Sequence, residues 1–483
     1  MGESSAQNLC LKILVAKDEN KVIMAESDKD FIEVLFSFMV MPIASAIRCT
    51  RNCLSGGIGC LSNLYGSVEN LDMNLLEDER FQDVLLNPRS AAEIYCKNLE
   101  MNLIERSCYD FYVCHNNECK VISYYKLGKC RCGEAWKHRL EIAPGSRFFP
   151  EVEGGFLKST VRFIITDDFK VMPVATMADL TLLSELGKYA KVEERTIKIG
   201  RDEVLNLLKR SLISKTPLSE TFLKPSIDKS NIEHLNMKYR PGGMNPGLKV
   251  TDFWNGKPRI CLKLFFDKVN DIVLYAVVEE DFVNMLCAFL AFPLGYIFNQ
   301  FPCLSFEGCM GNLHKSIQGA DINLFSHEER KEMLVNPKLS PGLAYTSNLI
   351  DIEEATVPSY STFSPLLEAK YKILRSNPNL GNQKVFDGFV KGPATFLVMD
   401  NLEVKPLSPI SVKLLIDKLM VPLSDIGEQA VILDKNKAMR LLAASLASKH
   451  ALTSTFLHKE TNLDCFDFLR VMWGGKRFGS KHY

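Results

Sequence analysis

The chain has 483 residues, and its 58 basic and 58 acidic side chains give a formal net charge of zero. That balance excludes a global positive field of the kind that attracts nucleic acid or anionic membranes. An apolar content of 46% with 24% charged residues is typical of a globular chain with well-buried cores. The N-terminal sequence MGESSAQN lacks the features of a secretory signal, so the 15 cysteines are expected to be reduced thiols or metal ligands in the cytoplasm or nucleus.

Two long stretches of the sequence match each other without a gap. Residues 9–42 read LCLKILVAKDENKVIMAESDKDFIEVLFSFMVMP, and residues 260–293 read ICLKLFFDKVNDIVLYAVVEEDFVNMLCAFLAFP. The match resumes further on, where 154–173 resembles 387–406 and 207–223 resembles 441–457. Similarity over such lengths predicts two tandem homologous copies, each of roughly 200 residues and therefore the size of one domain.

The first predicted elements are a β-hairpin and a helix. Residues 9–16 and 21–26 are rich in β-forming residues and flank a short polar turn, which is typical of a hairpin. Ser27 is expected to cap the following helix, which carries apolar residues at helical spacing from Phe31 onward. This helix is expected to end or kink at Pro42.

The remaining elements of the first copy predict an α+β fold. They are a helix at 61–76, a helix through Pro88 to residue 103, strands at 161–166 and 170–175, a helix at 177–189, a strand at 195–200 and a helix at 201–214. Each copy is thus predicted to be a small, mostly antiparallel sheet covered by helices.

These patterns give a complete domain organisation. It consists of an N-terminal tail at 1–8, a first copy at 9–223 with a cysteine-rich insert at 108–139, a linker at 224–257, a second copy at 258–459 and a C-terminal tail at 460–483. The linker contains the sequence RPGGMNPG, whose proline and glycine density disfavours helix and strand. The uncharged stretch at 282–306 is interrupted by Pro293 and Gly295, so we interpret it as buried core and expect no membrane span.

The combination of these segments resembles a known family. The segments are the hairpin followed by DFIEVLFSFMVMP, the sequence CLSNLYGSVENL, the cysteine-containing insert and the closing SLISKTPLSETFL. Together they resemble the plant family catalogued as domain of unknown function 674, over nearly the whole chain. The resemblance implies a land-plant protein and implies no activity.

The insert carries the strongest chemical pattern. In YVCHNNECKVISYYKLGKCRCGEAW, Cys114 and Cys119 form one close pair and Cys130 and Cys132 a second. Four thiolates in two pairs suit a tetrahedral structural zinc, and a small insert with little core gains folding energy from the metal. Cys108 or His115 could replace one ligand. The alternative interpretation is a set of reduced cysteines without metal.

Catalytic signatures are missing from the sequence. No Gly-x-Ser-x-Gly motif, dinucleotide fingerprint or complete phosphate loop is present, so no catalytic and no cofactor-binding residue is predicted. The polar residues repeated between the copies, such as Asp30 and Asp281, suit helix starts and strand surfaces better than proton transfer. Basic and aromatic residues alternate in the insert, but zero net charge disfavours nucleic acid as a partner.

Two hypotheses of different classes remain. The favoured one is a noncatalytic binding or scaffold protein of two related domains with a structural zinc insert, whose partner is an unknown protein or small molecule. The alternative is an enzyme that acts on a small apolar metabolite in a pocket between the copies.

Overall fold

A computed structural model gives the fold. It describes residues 9–51, 58–93, 96, 109–115, 122–127, 133–142, 155–158, 161–174, 189, 191–223, 260–301, 308–343, 349–350, 352–355 and 388–457. Both predicted tails, the predicted linker and all but the last residue of the predicted helix at 177–189 lie outside the described residues.

The strands of the first half form two antiparallel sheets. They are β1 (Leu9–Ala16), β2 (Lys21–Ser27), β3 (Tyr109–Cys114), β4 (Ile122–Ser123), β5 (Trp136–Ile142), β6 (Phe163–Thr166), β7 (Val171–Pro173) and β8 (Val192–Ile199). The larger sheet has the order β7-β6-β2-β1-β8, and the smaller one, within the predicted insert, has the order β4-β3-β5.

The second half contains another five-stranded sheet. Its strands are β9 (Ile260–Asp267), β10 (Ile272–Glu279), β11 (Thr395–Met399), β12 (Val404–Pro406) and β13 (Ile426–Leu433). The order is β12-β11-β10-β9-β13, and all neighbouring strands are antiparallel. Strand for strand this is the order of the first large sheet, and the predicted α+β class is confirmed.

Helices follow the strands in both halves. In the first half they are α1 (Lys29–Ser37), α2 (Ile43–Thr50), α3 (Leu61–Glu69), α4 (Arg80–Leu86), α5 (Arg201–Ile213) and α6 (Pro217–Phe222). In the second half they are α7 (Glu280–Phe289), α8 (Leu294–Gln300), α9 (Met310–Gly319), α10 (Glu328–Val335), α11 (Pro409–Leu419), α12 (Lys435–Ala447) and α13 (Ala451–Phe456).

The two hairpins share details that the sequence match did not specify. A β-bulge interrupts both at corresponding positions, leaving Ile23 out of the register in one and Leu274 in the other. Their turns contain Asn20 and Asp271 at φ 47° and 54°. Asparagine and aspartate tolerate this left-handed conformation better than most residues, which explains why the polar turns fold so tightly.

The predicted start of α1 is wrong by one residue. The N-cap is Asp28, whose side chain accepts a hydrogen bond from the Asp30 amide, while Ser27 is the buried last residue of β2. The helix gives way to a 3-10 turn at Phe38–Val40, as the proline predicted. Pro42 is then the N-cap of α2, with extended backbone before the first helical residue, Ile43.

Two further helix predictions need correction. The predicted helix at 61–76 is split into α3 and a 3-10 turn at Met73–Leu75, which Asp72 caps. The predicted helix through Pro88 is wrong for the described residues, since α4 ends at Leu86 and residues 88–92 form no helix. The residue before a proline disfavours helical backbone, so the chain leaves the helix at Asn87.

The apolar stripe on α1 and its counterpart on α7 form the centre of the core. The predicted core residues Phe31, Leu35, Phe38, Phe282, Leu286 and Phe289 all have 0% exposed surface. Their prediction as core is confirmed. They belong to one continuous buried cluster that includes residues of both halves.

The halves meet along a short two-stranded contact. Pro42 and Pro293 lie opposite each other in an antiparallel bridge. The Ile43 amide donates to the Phe292 carbonyl at 2.9 Å, and the Leu294 amide donates to the Met41 carbonyl at 2.9 Å. Each half therefore supplies equivalent atoms to the other, as in a twofold arrangement.

Each half also covers one sheet edge of the other. On α3, Ser67 Oγ accepts from the Val404 amide of β12 at 2.9 Å. In the reverse direction, Ser316 Oγ on α9 accepts from the Val171 amide of β7 at 3.0 Å. Because an open edge presents unpaired amides, each serine satisfies one amide of an edge strand of the other half. The halves are thus interlocked.

Candidate functional site

A cavity of about 270 Å³ opens in the second half, between α8, the start of α12 and two loop segments. Its lining consists of Tyr296, Gln300, Asn336, Pro337, Lys338, Ile352, Glu353, Lys435 and Met439. All of these residues belong to the second half, so the cavity does not lie between the halves, where the alternative hypothesis placed a pocket.

Local helix geometry explains how two sides of this cavity form. Tyr296 and Gln300 are four residues apart on α8, and Lys435 and Met439 are four apart on α12, so each pair shares one helix face. Asp434 caps α12 by accepting from the Lys437 amide at 2.8 Å. This cap fixes Lys435 in the first turn, beside the cavity.

The polar part of the cavity contains an ion pair and two amide side chains. Lys338 Nζ lies 2.6 Å from Glu353 Oε2, and their side chains are 42% and 75% exposed. With Lys435, the lining has two cations and one anion. Asn336 accepts a hydrogen bond through its Oδ1 from Asn299 at 3.2 Å, which orients the Asn336 carboxamide.

A second feature is an apolar surface around α11, which we call the α11 surface. It consists of Ile410, Leu414, Met420, Leu423 and Val269, with between 64% and 88% of each residue exposed. α11 has no buried residue at all. A group of large apolar side chains with this much exposure on one element and its neighbouring turns is unusual on a soluble monomer and marks sites of interaction.

The opposite face of α11 explains how the helix is held. Val412 and Leu415 pack against a small cluster on the outer face of the second sheet, formed by Leu274, Tyr275 and Leu397. The Lys268 amide donates to the Asp425 carbonyl at 2.9 Å, which brings the β9–β10 turn next to the segment after α11. One face of the helix is therefore attached to the sheet while the other faces solvent.

The predicted zinc ligands are described only in part. Cys114 is the last residue of β3 and lies opposite Trp136 at the start of β5. Cys119, Cys130 and Cys132 lie outside the described residues, as does the alternative ligand Cys108. Within the described residues no cluster of three histidine, cysteine, aspartate or glutamate side chains suits a metal ion. The zinc site remains a prediction.

A buried aspartate ties the closing helix of each half to its hairpin. Asp167 accepts from the amide and hydroxyl of Ser219, whose Oγ accepts in turn from the Val22 amide at 2.7 Å. Asp400 does the same with Thr453, whose hydroxyl accepts from the Val273 amide at 2.8 Å. These contacts are structural, because they join elements rather than line an opening.

The second half adds a histidine to its aspartate. His450 Nδ1 lies 2.9 Å from Asp400 Oδ2, and this hydrogen bond raises the pKa of His450. The histidine side chain is 63% exposed. The corresponding residue of the first half is Thr216, so the pair belongs to the second half alone.

A second buried carboxylate differs between the halves. Glu33 on α1 is 3% exposed, and its Oε1 accepts from the Leu157 amide at 3.0 Å. Burial raises the pKa of Glu33. At the matching place on α7, Asn284 accepts through Oδ1 from the Phe389 and Val390 amides. Both side chains hold a loop of their own half, one with an ionisable group and one with a neutral amide.

Sequence reasoning missed the cavity and the α11 surface for different reasons. The cavity is assembled from four separate segments, and no local pattern joins them. The α11 surface did have a signal, because PISVKLLIDKL places apolar residues around the whole helix rather than on one stripe. Such a helix either is buried on all sides or presents one face to a partner.

Comparisons with known proteins identify a family and nothing more specific. A family model described as protein of unknown function (DUF674) matches residues 5–436. No curated protein and no solved structure matches the chain. No helix among the described residues is long and apolar enough to cross a membrane.

Proposed function

Because the chain belongs to the DUF674 family, whose description states no activity, we propose a function from its surfaces: it is a noncatalytic binding or scaffold protein. In this proposal two tandem homologous copies form one rigid body, a zinc ion stabilises the insert of the first copy, and the second copy carries the docking surface. The proposal includes the land-plant origin and the cytoplasmic location, with the nucleus as the alternative.

The α11 surface is the observation that carries this proposal. Apolar surface exposed by a folded chain costs free energy in water at about 25 cal/mol per Å², and burial by a partner recovers it. Ile410 and Leu414 are one helical turn apart and both are mostly exposed, so they offer a helix face as an anchor. The occupant we propose is another protein that contributes a complementary apolar segment.

The interlocking of the halves supports the scaffold part of the proposal. α3 and α9 each supply a serine hydroxyl that accepts from an edge-strand amide of the opposite half. The shared strand order of the two large sheets, together with the sequence match, supports tandem homologous copies. A body joined in this way would hold its surfaces in fixed relation.

The register of the small sheet supports the zinc part. Cys114 and Trp136 are partners, so the ends of β3 and β5 meet. Cys119 follows β3 in the sequence, while Cys130 and Cys132 directly precede β5. The first cysteine pair therefore starts at the end of β3, the second precedes the start of β5, and these two strand ends meet, which favours convergence on one tetrahedral ion.

The alternative enzyme hypothesis has less support. The cavity described above lies within the second half rather than between the halves. Its lining contains no cysteine, serine or histidine, the side chains that most often serve in nucleophilic catalysis.

Site-specific photo-crosslinking tests the docking surface. A photoreactive phenylalanine analogue placed at Leu414 should give a discrete adduct with one partner in plant extract, and Ile410→Glu in the same chain should abolish it. Met73 is the matched control position, because it is half-exposed and lies outside the α11 surface. Equal labelling of the same proteins from Leu414 and Met73, or an adduct that survives Ile410→Glu, would contradict the proposal.

A further inference from the structure

We propose that a segment of the C-terminal tail docks on the α11 surface of its own chain and competes there with the partner. The segment is residues 462–473, which read NLDCFDFLRVMW. The tail lies outside the described residues, so its helix is predicted from the sequence, while the surface and the start of the tail come from the structure. This regulation rests on the proposed function, because it acts at the same docking surface.

Local signals in the tail predict one short helix. Thr461 and Asp464 have the spacing of a capping box, which begins a helix at residue 462. Gly474-Gly475 follows Trp473, and glycine commonly ends a helix. The 12 residues between these signals make a helix that is marginal on its own in water. It therefore depends on a surface to pack against.

The predicted helix has one large apolar face. Phe466, Leu469 and Trp473 recur at i, i+3 and i+7, so they lie on the same face. Asp464 and Asp467 lie on the opposite face, as expected for a side that stays in solvent. A helix of this kind is stabilised mainly by burial of its apolar face, and the α11 surface offers exposed apolar side chains for it to cover.

The described chain places the start of the tail at one end of the α11 surface. The Thr453 hydroxyl on α13 accepts from the Val273 amide at 2.8 Å, just after the β9–β10 turn. Val269 lies in that turn and belongs to the α11 surface, next to the segment that follows α11. α13 ends at Phe456, so the tail begins near the end of α11 rather than near its start.

Length and direction fit an antiparallel arrangement with α11. Residues 458–461 reach about 14 Å when extended, which exceeds the spacing of about 10 Å between packed helices. From Leu463 to Trp473 the predicted helix rises about 15 Å, and so does α11 with its C-cap from Ile410 to Met420. We therefore expect Leu463 to lie near Met420 and Trp473 near Ile410.

A tethered segment competes with any partner for the surface that it covers. A short flexible connection gives the segment an effective concentration on the order of 1 mM. If the free segment binds with a dissociation constant of about 100 µM, the tethered one covers the surface about nine-tenths of the time. The apparent affinity of a partner is then weakened about tenfold.

Photo-crosslinking of the purified full-length chain, without extract, tests the docked arrangement. A photoreactive phenylalanine analogue at Met420 should label the tail near Leu463, and the analogue at Ile410 should label it near Trp473. Both adducts should form within one chain, with a yield independent of protein concentration. The analogue at Met73, a half-exposed position outside the α11 surface, should give no tail adduct.

Two tail variants separate specific docking from a general loss of labelling. Phe466→Glu combined with Leu469→Glu places charge on the apolar face and should reduce both adducts at least tenfold. Val471→Glu introduces a charge of the same kind on the opposite face of the predicted helix and should leave both adducts unchanged. Neither variant changes a described residue, so a loss of adducts reports on the tail rather than on the fold.

A synthetic peptide of residues 460–475 measures the competition by fluorescence anisotropy. It should bind the Phe466→Glu, Leu469→Glu chain with a dissociation constant on the order of 100 µM, and the wild-type chain about tenfold more weakly, because the wild-type tail occupies the surface. Adding Ile410→Glu to the tail variant should abolish peptide binding.

Three results would overturn the proposal: no tail adduct from Met420 or Ile410, adducts that join two chains, or equal affinity of the peptide for the wild-type and tail-variant chains. Adducts that join two chains would assign the surface to a second copy. Tail adducts in the absence of any extract partner at Leu414 would contradict the proposed function alone. An extract partner at Leu414 without tail adducts would contradict this regulation alone.

Discussion

Truncation of Phe38 to alanine measures how much the shared core contributes to stability. Phe38 is fully buried, and the 3-10 turn that carries it contacts α8 of the other half, next to the Pro42–Pro293 bridge. The site is therefore constrained from both halves and has little freedom to collapse around a smaller side chain.

The expected loss follows from two contributions. Removing a buried phenyl ring forfeits about 2 kcal/mol of transfer free energy. The cavity left behind is about 100 Å³, which adds about 2.4 kcal/mol at ~24 cal/mol per Å³ if nothing relaxes. We therefore expect Phe38→Ala to lower the free energy of unfolding by about 3–5 kcal/mol.

Guanidinium chloride denaturation, followed by circular dichroism, is the appropriate assay. Phe38→Ala should lower the midpoint without changing the slope, because the area exposed on unfolding is almost the same. Phe289→Ala, the counterpart in the second half, should cost a similar amount, and Met73→Ala at a half-exposed position should cost less than about 0.5 kcal/mol. A near-neutral Phe38→Ala would refute the argument that this face is core.

Three further predictions concern single side chains. Glu33→Gln should stabilise the protein at neutral pH but not near pH 4. Burial raises the pKa of Glu33 in the folded state, so stability is lost as pH rises from the unfolded-state pKa of about 4.5 through the folded-state pKa. Equal effects of the substitution at both pH values in thermal unfolding would contradict this. His450→Thr should remove a small stabilisation by the charged histidine. This stabilisation is present below the unfolded-state pKa of about 6.5 and is lost as pH rises through the raised folded-state pKa. An unchanged dependence of stability on pH in the variant would count against this prediction. Cys114→Ala should eliminate bound zinc in elemental analysis while leaving the large sheets folded. Cys261→Ala, which removes an exposed thiol on β9, should retain the metal. Wild-type protein without zinc would contradict the zinc proposal.

Periodic patterns predicted the core correctly because burial of an apolar stripe is a local consequence of helix geometry. Phe31, Leu35 and Phe38 needed no knowledge of the partner surface to be identified as buried. The strands at 161–166 and 170–175 were likewise found as β6 and β7, slightly shortened at their ends.

Predictions failed where neighbouring residues compete for one role. Ser27 and Asp28 both suit a helix cap, and pairing of β2 with β6 extends through Ser27, which leaves the cap to Asp28. Pro88 suits a first helical turn in isolation, but Asn87 before it cannot remain helical, so the chain ends α4 there instead.

The interlocking of the halves was beyond sequence reasoning. The hydrogen bond between Ser67 and the Val404 amide joins residues more than 300 positions apart, and no local pattern specifies such a pair. The same holds for the cavity, where Tyr296 and Met439 come from different helices. Which residues meet in such places depends on the packing of distant segments. No short stretch of a single sequence contains that information.

Native mass spectrometry of the protein isolated from plant extract tests the binding proposal most directly, because it reports partner and metal in one spectrum. We expect the mass of the chain with one zinc ion and one protein partner. The double variant Ile410→Glu, Leu414→Glu should lose the partner but keep the zinc, while its denaturation midpoint stays the same as that of the wild-type protein. A chain that carries neither zinc nor partner, or one whose partner is retained by the variant, would contradict it.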